Sequence, residues 1–454
     1  MTFLGAGMLS DISAQDFSLQ ADTLNEARLP AQWDLQSCID YALEQNITIR
    51  KNRVTAESTQ IDVKTAKAAL FPSLSFSTSQ QVVNRPYQET SSRVSGSEII
   101  SSNSKTSYNG NYGLNASWTI YNGSKRLKTL KQERLNNQVA ELDVATSENT
   151  IKESIAQIYI QILYAAESVR VNENTLQVSI AQRDRGQELL NAGSIAKSDF
   201  AQLEAQVSTD RYQLVTAQAT LQDYKLQLKQ LLELDGENEM NVYLPNLSDE
   251  NVLAPLPAKK DVYVSALAIR PEIEASKLNV EASELGIDIA KSSYFPTVSL
   301  SAGIGTNHTS GSDFTFGEQV KNGWNNSIGL SVSVPIFNNR QTKSAVQKAR
   351  LQRETNMLSL LDEQKALYKA IESLWLDANS AQQRYAAANE KLRSTQISYD
   401  LISEQFNLGM KNTVELLTEK NNLLQAQQEQ LQAKYMAILN TQLLKFYQGD
   451  KLTL

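Results

Sequence analysis

Two stretches of this chain run much further without a helix breaker than a globular domain tolerates. From residue 123 to 191 there is no proline and, past Gly123 itself, a single glycine, Gly186; from 339 to 407 there is neither. Each stretch is 69 residues, about 100 Å of α-helix at ~1.5 Å per residue. A single domain cannot bury a helix of that length, so it must run beside other long helices in a coiled-coil-like array. The segments after them carry the matching pattern. Phe200, Val207, Leu214, Leu221 and Leu228 recur every seven residues, as do Leu417, Leu424, Leu431 and Ile438.

The long segments belong to a design that is present twice. The run Ala66–Ser77 returns as Ala290–Ser301 around a shared Phe-Pro. Gly113-Leu114 followed by Ile120-Tyr121-Asn122 returns as Gly329-Leu330 followed by Ile336-Phe337-Asn338, and the turn at Gly193 returns at Gly409. The offsets, 290 − 66 = 224, 329 − 113 = 216 and 409 − 193 = 216, keep the order and let one loop change length. The division is a tail at 1–33, a first repeat at 34–235, a linker at 236–257 carrying Pro245, Asn246, Pro255 and Pro257, a second repeat at 258–447 and a tail at 448–454. In the first repeat we expect strands at about 71–83 and 110–121 and long helices at 123–191 and 195–235. In the second, the strands fall at about 295–306 and 326–337 and the helices at 339–407 and 411–447.

The strands constrain the setting. Tyr112, Leu114, Ala116, Trp118 and Ile120 alternate with Gly113, Asn115, Ser117 and Thr119; Ile328, Leu330, Val332, Val334 and Ile336 alternate with Gly329, Ser331, Ser333 and Pro335. Leu74 and Phe76, and Val298 to Ile304, obey the same rule. Segments of about 9–11 residues, apolar on one side and small-polar on the other, suit membrane β-barrel strands. A soluble one-faced sheet also alternates, but its solvated face carries Lys and Glu rather than Ser and Gly. Leu114, Trp118, Leu330, Val332 and Val334 are therefore assigned to the lipid side, with Asn115, Ser117, Ser331 and Ser333 toward a lumen. Phe71, Trp118, Tyr121, Phe295, Trp324 and Phe337 suit interfacial girdles. Four strands cannot close a barrel, and lipid forbids an open edge; three copies would supply twelve.

Composition removes most chemistry. The charge balance is 43 − 50 = −7, against the basic footprint of a nucleic-acid binder. With one cysteine, Cys38, and one histidine, His308, neither a Cys-cluster metal site nor Ser-His-Asp catalysis has its parts. Cys38 reads as a small buried residue on a short amphipathic helix, since no continuous apolar run precedes it to make it a lipid anchor. His308 reads as a loop residue. We expect no catalytic, cofactor-binding or metal-binding residues. No stretch approaches the ~18–20 apolar residues of a membrane-crossing helix. The apolar start, Met1–Leu9, lacks a basic region; with Ile12-Ser13-Ala14 as a small-residue cleavage context, a clipped signal-peptide remnant and a disordered tail both fit it.

Over about 34–447 the chain resembles the outer-membrane efflux proteins, the TolC-like exit ducts. The resemblance is carried by Trp33–Leu43, the two Phe-Pro strand entries and the paired Gly193 and Gly409 turns. It implies an α+β membrane fold: a homotrimer whose strands complete a shared 12-stranded barrel in the outer membrane of a Gram-negative cell, above a trimeric α-helical barrel in the periplasm. The implied function is the passive exit channel of a tripartite efflux or type I secretion system, docked on a periplasmic adaptor served by an inner-membrane transporter. It further implies a gate at the helix tips, with Asp199, six residues after Gly193, contacting Lys411, two after Gly409. Phe406 stands where well-known members carry a Tyr, and it cannot make the Tyr hydroxyl's bond. Glu415 occupies an acidic constriction position. Thr418 departs from the second acidic position, with Glu419 adjacent but pointing elsewhere. The plain alternative for Asp199, Lys411 and Glu415 is solvated helix-end charge. The rival function is a soluble coiled-coil scaffold or a periplasmic adaptor.

Overall fold

The structure is a computed structural model that describes residues 30–87, 91–95, 98–102, 105–235, 240–245, 252–310, 312 and 314–453. The signal-peptide reading of residues 1–14 lies outside them, as do 236–239 and 246–251 of the linker.

Each copy begins with a short helix jointed to a 22-residue one. In the first copy these are α1 (Leu35–Gln45) and α2 (Ile47–Ala68). The side chain of Asn46 accepts from the amides of Thr48 and Ile49 and so starts α2. The chain continues through β1 (Ser73–Asn84), a small hairpin of β2 (Ser91–Ser95) and β3 (Glu98–Ser102), and β4 (Thr106–Asn122). It then enters the 67-residue α3 (Lys125–Asn191) and returns along α4 (Lys197–Leu231). The second copy repeats this with α5 (Lys259–Ile269), α6 (Pro271–Ser292), β5 (Thr297–Thr309), α7 (Phe316–Asn322), β6 (Asn325–Ser333), the 67-residue α8 (Gln341–Asn407) and α9 (Thr413–Gln448). Here the joint is made by Pro271 at the first position of α6, where a missing N–H costs nothing.

The helices form a wall. Beside the sheet, α3 lies between α2 and α6, and α6 between α3 and α8; towards the far end α4 covers α3, while α9 lies between α3 and α8. The main core sits midway. There Ile155, Tyr159 and Leu163 of α3 meet Cys38 of α1, Leu228 of α4 and Ile438 of α9. Tyr159 donates its hydroxyl to the Tyr243 carbonyl at 2.6 Å. The Trp33 amide donates to the Asn241 carbonyl, and Tyr243 donates back to Trp33. Cys38 is fully buried on α1, and desolvation pushes its thiol up to about 12. Arg270, at the second joint, pairs with Glu153 of α3 at 2.8 Å and lies 3.7 Å from the ring centre of Tyr447, tying the two copies together.

All four long strands form one antiparallel sheet in the order β1-β4-β5-β6. The sheet departs from the sequence reading in three places. β6 ends at Ser333, so Val334, expected in a lipid-facing strand, lies beyond the ladder. Pro335 has no amide to donate, and Ser333 already pairs with Thr297, the first residue of β5. Secondly, the register shifts between Thr119 and Tyr121, so Tyr121 rather than Ile120 faces Val298; the bulge moves Tyr121 onto the apolar side. Finally, His308 belongs to β5, not to a loop, and packs against Tyr108, Tyr112 and Phe316.

Candidate functional site

The two ends of the wall carry the unusual chemistry. At the sheet end, strand alternation adds up because the register aligns it. Leu74, Ala116, Ala302 and Ile328 form one rung, and Phe76, Leu114 and Ile304 belong to another. Trp118, Leu300 and Leu330 align, as do Val298 and Val332. Between them run Ser73, Ser117, Ser301 and Gly329, then Ser75, Asn115, Gly303 and Ser327. The polar side is knitted: Ser73 and Ser117 hydroxyls share a 2.9 Å hydrogen bond, and Asn115 Nδ2 donates to Ser77 Oγ at 3.3 Å. The apolar side is left bare, with Leu330 65% and Ile328 83% exposed. Trp118 donates its indole N–H to the Leu70 carbonyl at 2.9 Å, anchoring one polar tip where strand meets helix. Among the described residues β1 and β6 are the sheet's two outer strands, each with one ladder edge unpaired in the single chain.

At the opposite end each hairpin turns on the same backbone device. Ser194 N–H donates to Leu189 at 2.8 Å and Gly193 N–H to Leu190 at 3.0 Å; Met410 donates to Gln405 at 2.8 Å and Gly409 to Phe406 at 2.9 Å. This double closure needs a left-handed residue, and Gly193 (φ +74°) and Gly409 (φ +76°) provide it. A β-carbon on either would meet nothing within 4 Å, so the glycines are there for conformation and not for space.

The helices leaving these turns start differently. Asn412 caps α9, accepting from the Glu415 amide at 2.9 Å, while Glu415 accepts from the Asn412 amide at 3.2 Å. Lys411 Nζ adds an ion pair to Glu415 at 2.6 Å. The Lys411 contact, helped by the Asn412 amide, holds the Glu415 carboxyl below its usual range. α4 starts at Ala196, which has no side-chain acceptor, and Asp199 reaches the Ala196 amide only at 3.4 Å. Among the described residues no ion pair joins Asp199 to Lys411 within one chain; of the five gate residues named from sequence, only Lys411 and Glu415 bond to each other through their side chains. Phe406 is buried at 3% exposure. The exposed Thr418 bonds back to the Val414 carbonyl at 2.8 Å, and Glu419 accepts from Ser398 on α8 at 3.2 Å.

The sequence reading missed a polar cluster further up the hairpins, where Lys420 on α9 meets Asp210 on α4 and Ser179 on α3. The signal was present. Asp210 lies three residues past heptad position Val207 and Lys420 three past Leu417, which puts a charge where a coiled coil wants an apolar side chain. Among the described residues, no group of three or more His, Cys, Asp or Glu side chains is placed to hold a metal ion, and no helix is long and apolar enough to cross a membrane.

The sequence matches the family described as outer membrane efflux protein over residues 38–233 and 262–449. Outer membrane efflux protein BepC of Brucella suis biovar 1 (strain 1330) is 25% identical over 294 residues, 64% of this chain and 61% of that protein. Outer membrane protein TolC of Escherichia coli (strain K12) is 24% identical over 341 residues, 72% of this chain and 66% of that one. The matched region thus spans less than two thirds of each of these relatives. A crystal structure of CusC superposes with a TM-score of 0.78 at 19% identity, covering 92% of both chains. The Campylobacter jejuni CmeC outer membrane channel gives 0.76 at 17% identity, covering 92% of this chain and 87% of that one. At those identities the two structures establish a common fold.

Proposed function

The chain belongs to the outer membrane efflux protein family, and from that premise we propose that it is the passive exit channel of a tripartite efflux or type I secretion system. Three copies close the ring. Each sheet contributes four strands to a twelve-stranded barrel in the outer membrane, and the long helices continue it as a tunnel through the periplasm. The single observation that carries this reading is the sheet: an in-register apolar face left bare, a hydroxyl- and amide-lined face behind it, and two unpaired edges. In lipid such edges lack partners for their amides and carbonyls, and β1 of one copy can pair with β6 of the next because the antiparallel order continues around the ring. A soluble scaffold would leave the same face in water, where a contiguous apolar patch promotes association.

In this reading the protein performs no chemistry. Ser, Asn and Gly side chains line a wet path, and transport energy enters through an inner-membrane transporter coupled by a periplasmic adaptor at the helix tips. Those tips form the gate. Asp199 of one copy and Lys411 of its neighbour meet there, exchanging the Lys411–Glu415 pair of the single chain for one across the seam, and Glu415 rings the mouth with carboxylates. The test is the mass of the detergent-extracted protein and its release from membranes. Three chains per particle, freed from the outer-membrane fraction by detergent alone, is the expected result. A stable monomer in a bilayer, or release by salt without detergent, would overturn the duct.

A further inference from the structure

The cluster above the tips is buried among the helices, with none of its three side chains on the surface. Lys420 is 3% exposed, Asp210 1% and Ser179 2%. Lys420 donates to an Asp210 carboxylate oxygen and to the Ser179 hydroxyl, which in turn donates to the same oxygen. The other Asp210 oxygen accepts from Gln206 at 2.9 Å, and Gln206 also reaches Asn421 of α9 at 3.3 Å. Close by, Gln182 of α3 donates to the Tyr399 hydroxyl of α8 at 2.9 Å. Together these contacts make a belt that fastens the α3–α4 hairpin to the α8–α9 hairpin.

Between the belt and the turns the fastening stops. Among the described residues, the side-chain hydrogen bonds and ion pairs of 183–205 and 400–419 all stay within their own hairpin. Within the first hairpin Leu203 closes over Gly186, where a β-carbon would come within 2.3 Å of its Cδ1. The free lengths are 191 − 179 = 12 residues on α3, 210 − 197 = 13 on α4 and 420 − 413 = 7 on α9, about 10–20 Å of helix at ~1.5 Å per residue. A buried ion pair holds one arrangement, because pulling one partner away strands the other's charge in a dry site.

We propose that Lys420, Asp210 and Ser179 set the hinge level of the entrance: they hold α3, α4 and α9 as one body, and the two tips of a chain part from each other only below them. The inference rests on the reading of the tips as a gated mouth. Lys420 is a positioning residue and does not line that mouth.

The test measures intrachain distances by pulsed electron spin resonance, in assembled protein where labelled chains are diluted with unlabelled ones. One label pair, Ser194→Cys with Met410→Cys, reports the tips; the other, Thr220→Cys with Gln425→Cys, reports the helices above the belt. In the parent we expect the tip distribution to be at least twofold broader than the upper one. Lys420→Met should broaden the upper pair to match the tips, and Lys420→Arg, which keeps the charge, should leave it narrow. Should Lys420→Met not assemble, Ser179→Ala removes only the α3 link and should broaden the upper pair in part. Tips as narrow as the upper pair, or an upper pair unmoved by the variant that assembles, would overturn the hinge. Failure of the parent to conduct in planar bilayers would instead remove the duct, while the distance comparison would still decide whether the belt divides a rigid region from a mobile one.

Discussion

At the sheet the two copies of the repeat are alike, and at the tips they are not. All four strands present apolar residues to one side along shared rungs, whichever copy they come from. A one-residue slip in any strand would turn its whole apolar set to the wrong face, so both copies are held to the same answer. At the tips the turns also coincide, because the double closure demands the same left-handed glycine. The helix starts beyond the turns are free to differ. α9 begins with a reciprocal cap and an ion pair, and α4 with an alanine and one long bond. Surroundings that act on every residue keep duplicated elements alike, and side-chain chemistry diverges where they act on few. The start of α4 accordingly has fewer side-chain bonds than the start of α9.

The contrast can be broken most severely at the residue three before each turn glycine. Phe406→Ala should cost about 3–4 kcal/mol by opening a cavity under the second tip. Leu190→Ala, at the half-buried equivalent in the first copy, should cost about 1–2 kcal/mol. Thermal unfolding of the two variants checks this, and equal losses would erase the asymmetry. Next come the strands, where the copies should respond alike. Arg at Leu114 or at Ile328 should cost about 2–4 kcal/mol near the membrane midplane and lower the yield of assembled protein on unheated gels. Arg at Asn115 or Ser331 should spare assembly and shift ion selectivity. Equal tolerance on both faces would refute the face assignment.

A smaller effect sharpens the comparison at the caps. Asn412→Ala should lose about 1 kcal/mol at the start of α9, and Ala196→Asn should gain a similar amount at α4. Hydrogen exchange of the first-turn amides reads both, and a silent Ala196→Asn would mean that α4 is already as firmly started as α9. The smallest structural change is expected from Asp199→Ala combined with Lys411→Ala. It should leave thermal unfolding nearly unmoved, since exposed pairs contribute little, yet raise single-channel conductance in planar bilayers. Parental conductance would return these residues to ordinary surface charge.

Much of this architecture is legible in the chain itself. Runs free of proline and with at most one glycine announce α3 and α8, and strict alternation announces the strands, because both signals are local and repeated. The end of β6 is harder to read, since Val334 and Ile336 continue the alternation past a point where β5 has no more residues to pair. The shift at Ile120 escapes for a related reason: it depends on the partner strand. At the tips, position relative to Gly193 and Gly409 picks out Asp199, Lys411 and Glu415, but which of them bond within a chain depends on caps formed in three dimensions. The Lys420–Asp210 contact joins residues 210 apart, which no local pattern connects.

The two bare sheet edges have a genetic consequence. In the proposed three-copy ring β1 of one copy joins β6 of the next, two different surfaces, so the contact is head-to-tail and every member must be sound on both sides for the ring to close. A chain faulty at a single edge would still dock through its good edge and spoil the ring it enters. With half the chains faulty and random mixing, only about one trimer in eight would contain none. Alleles damaged in β1 or β6 should therefore be dominant over the healthy copy, whereas alleles that prevent the chain from folding at all should be recessive.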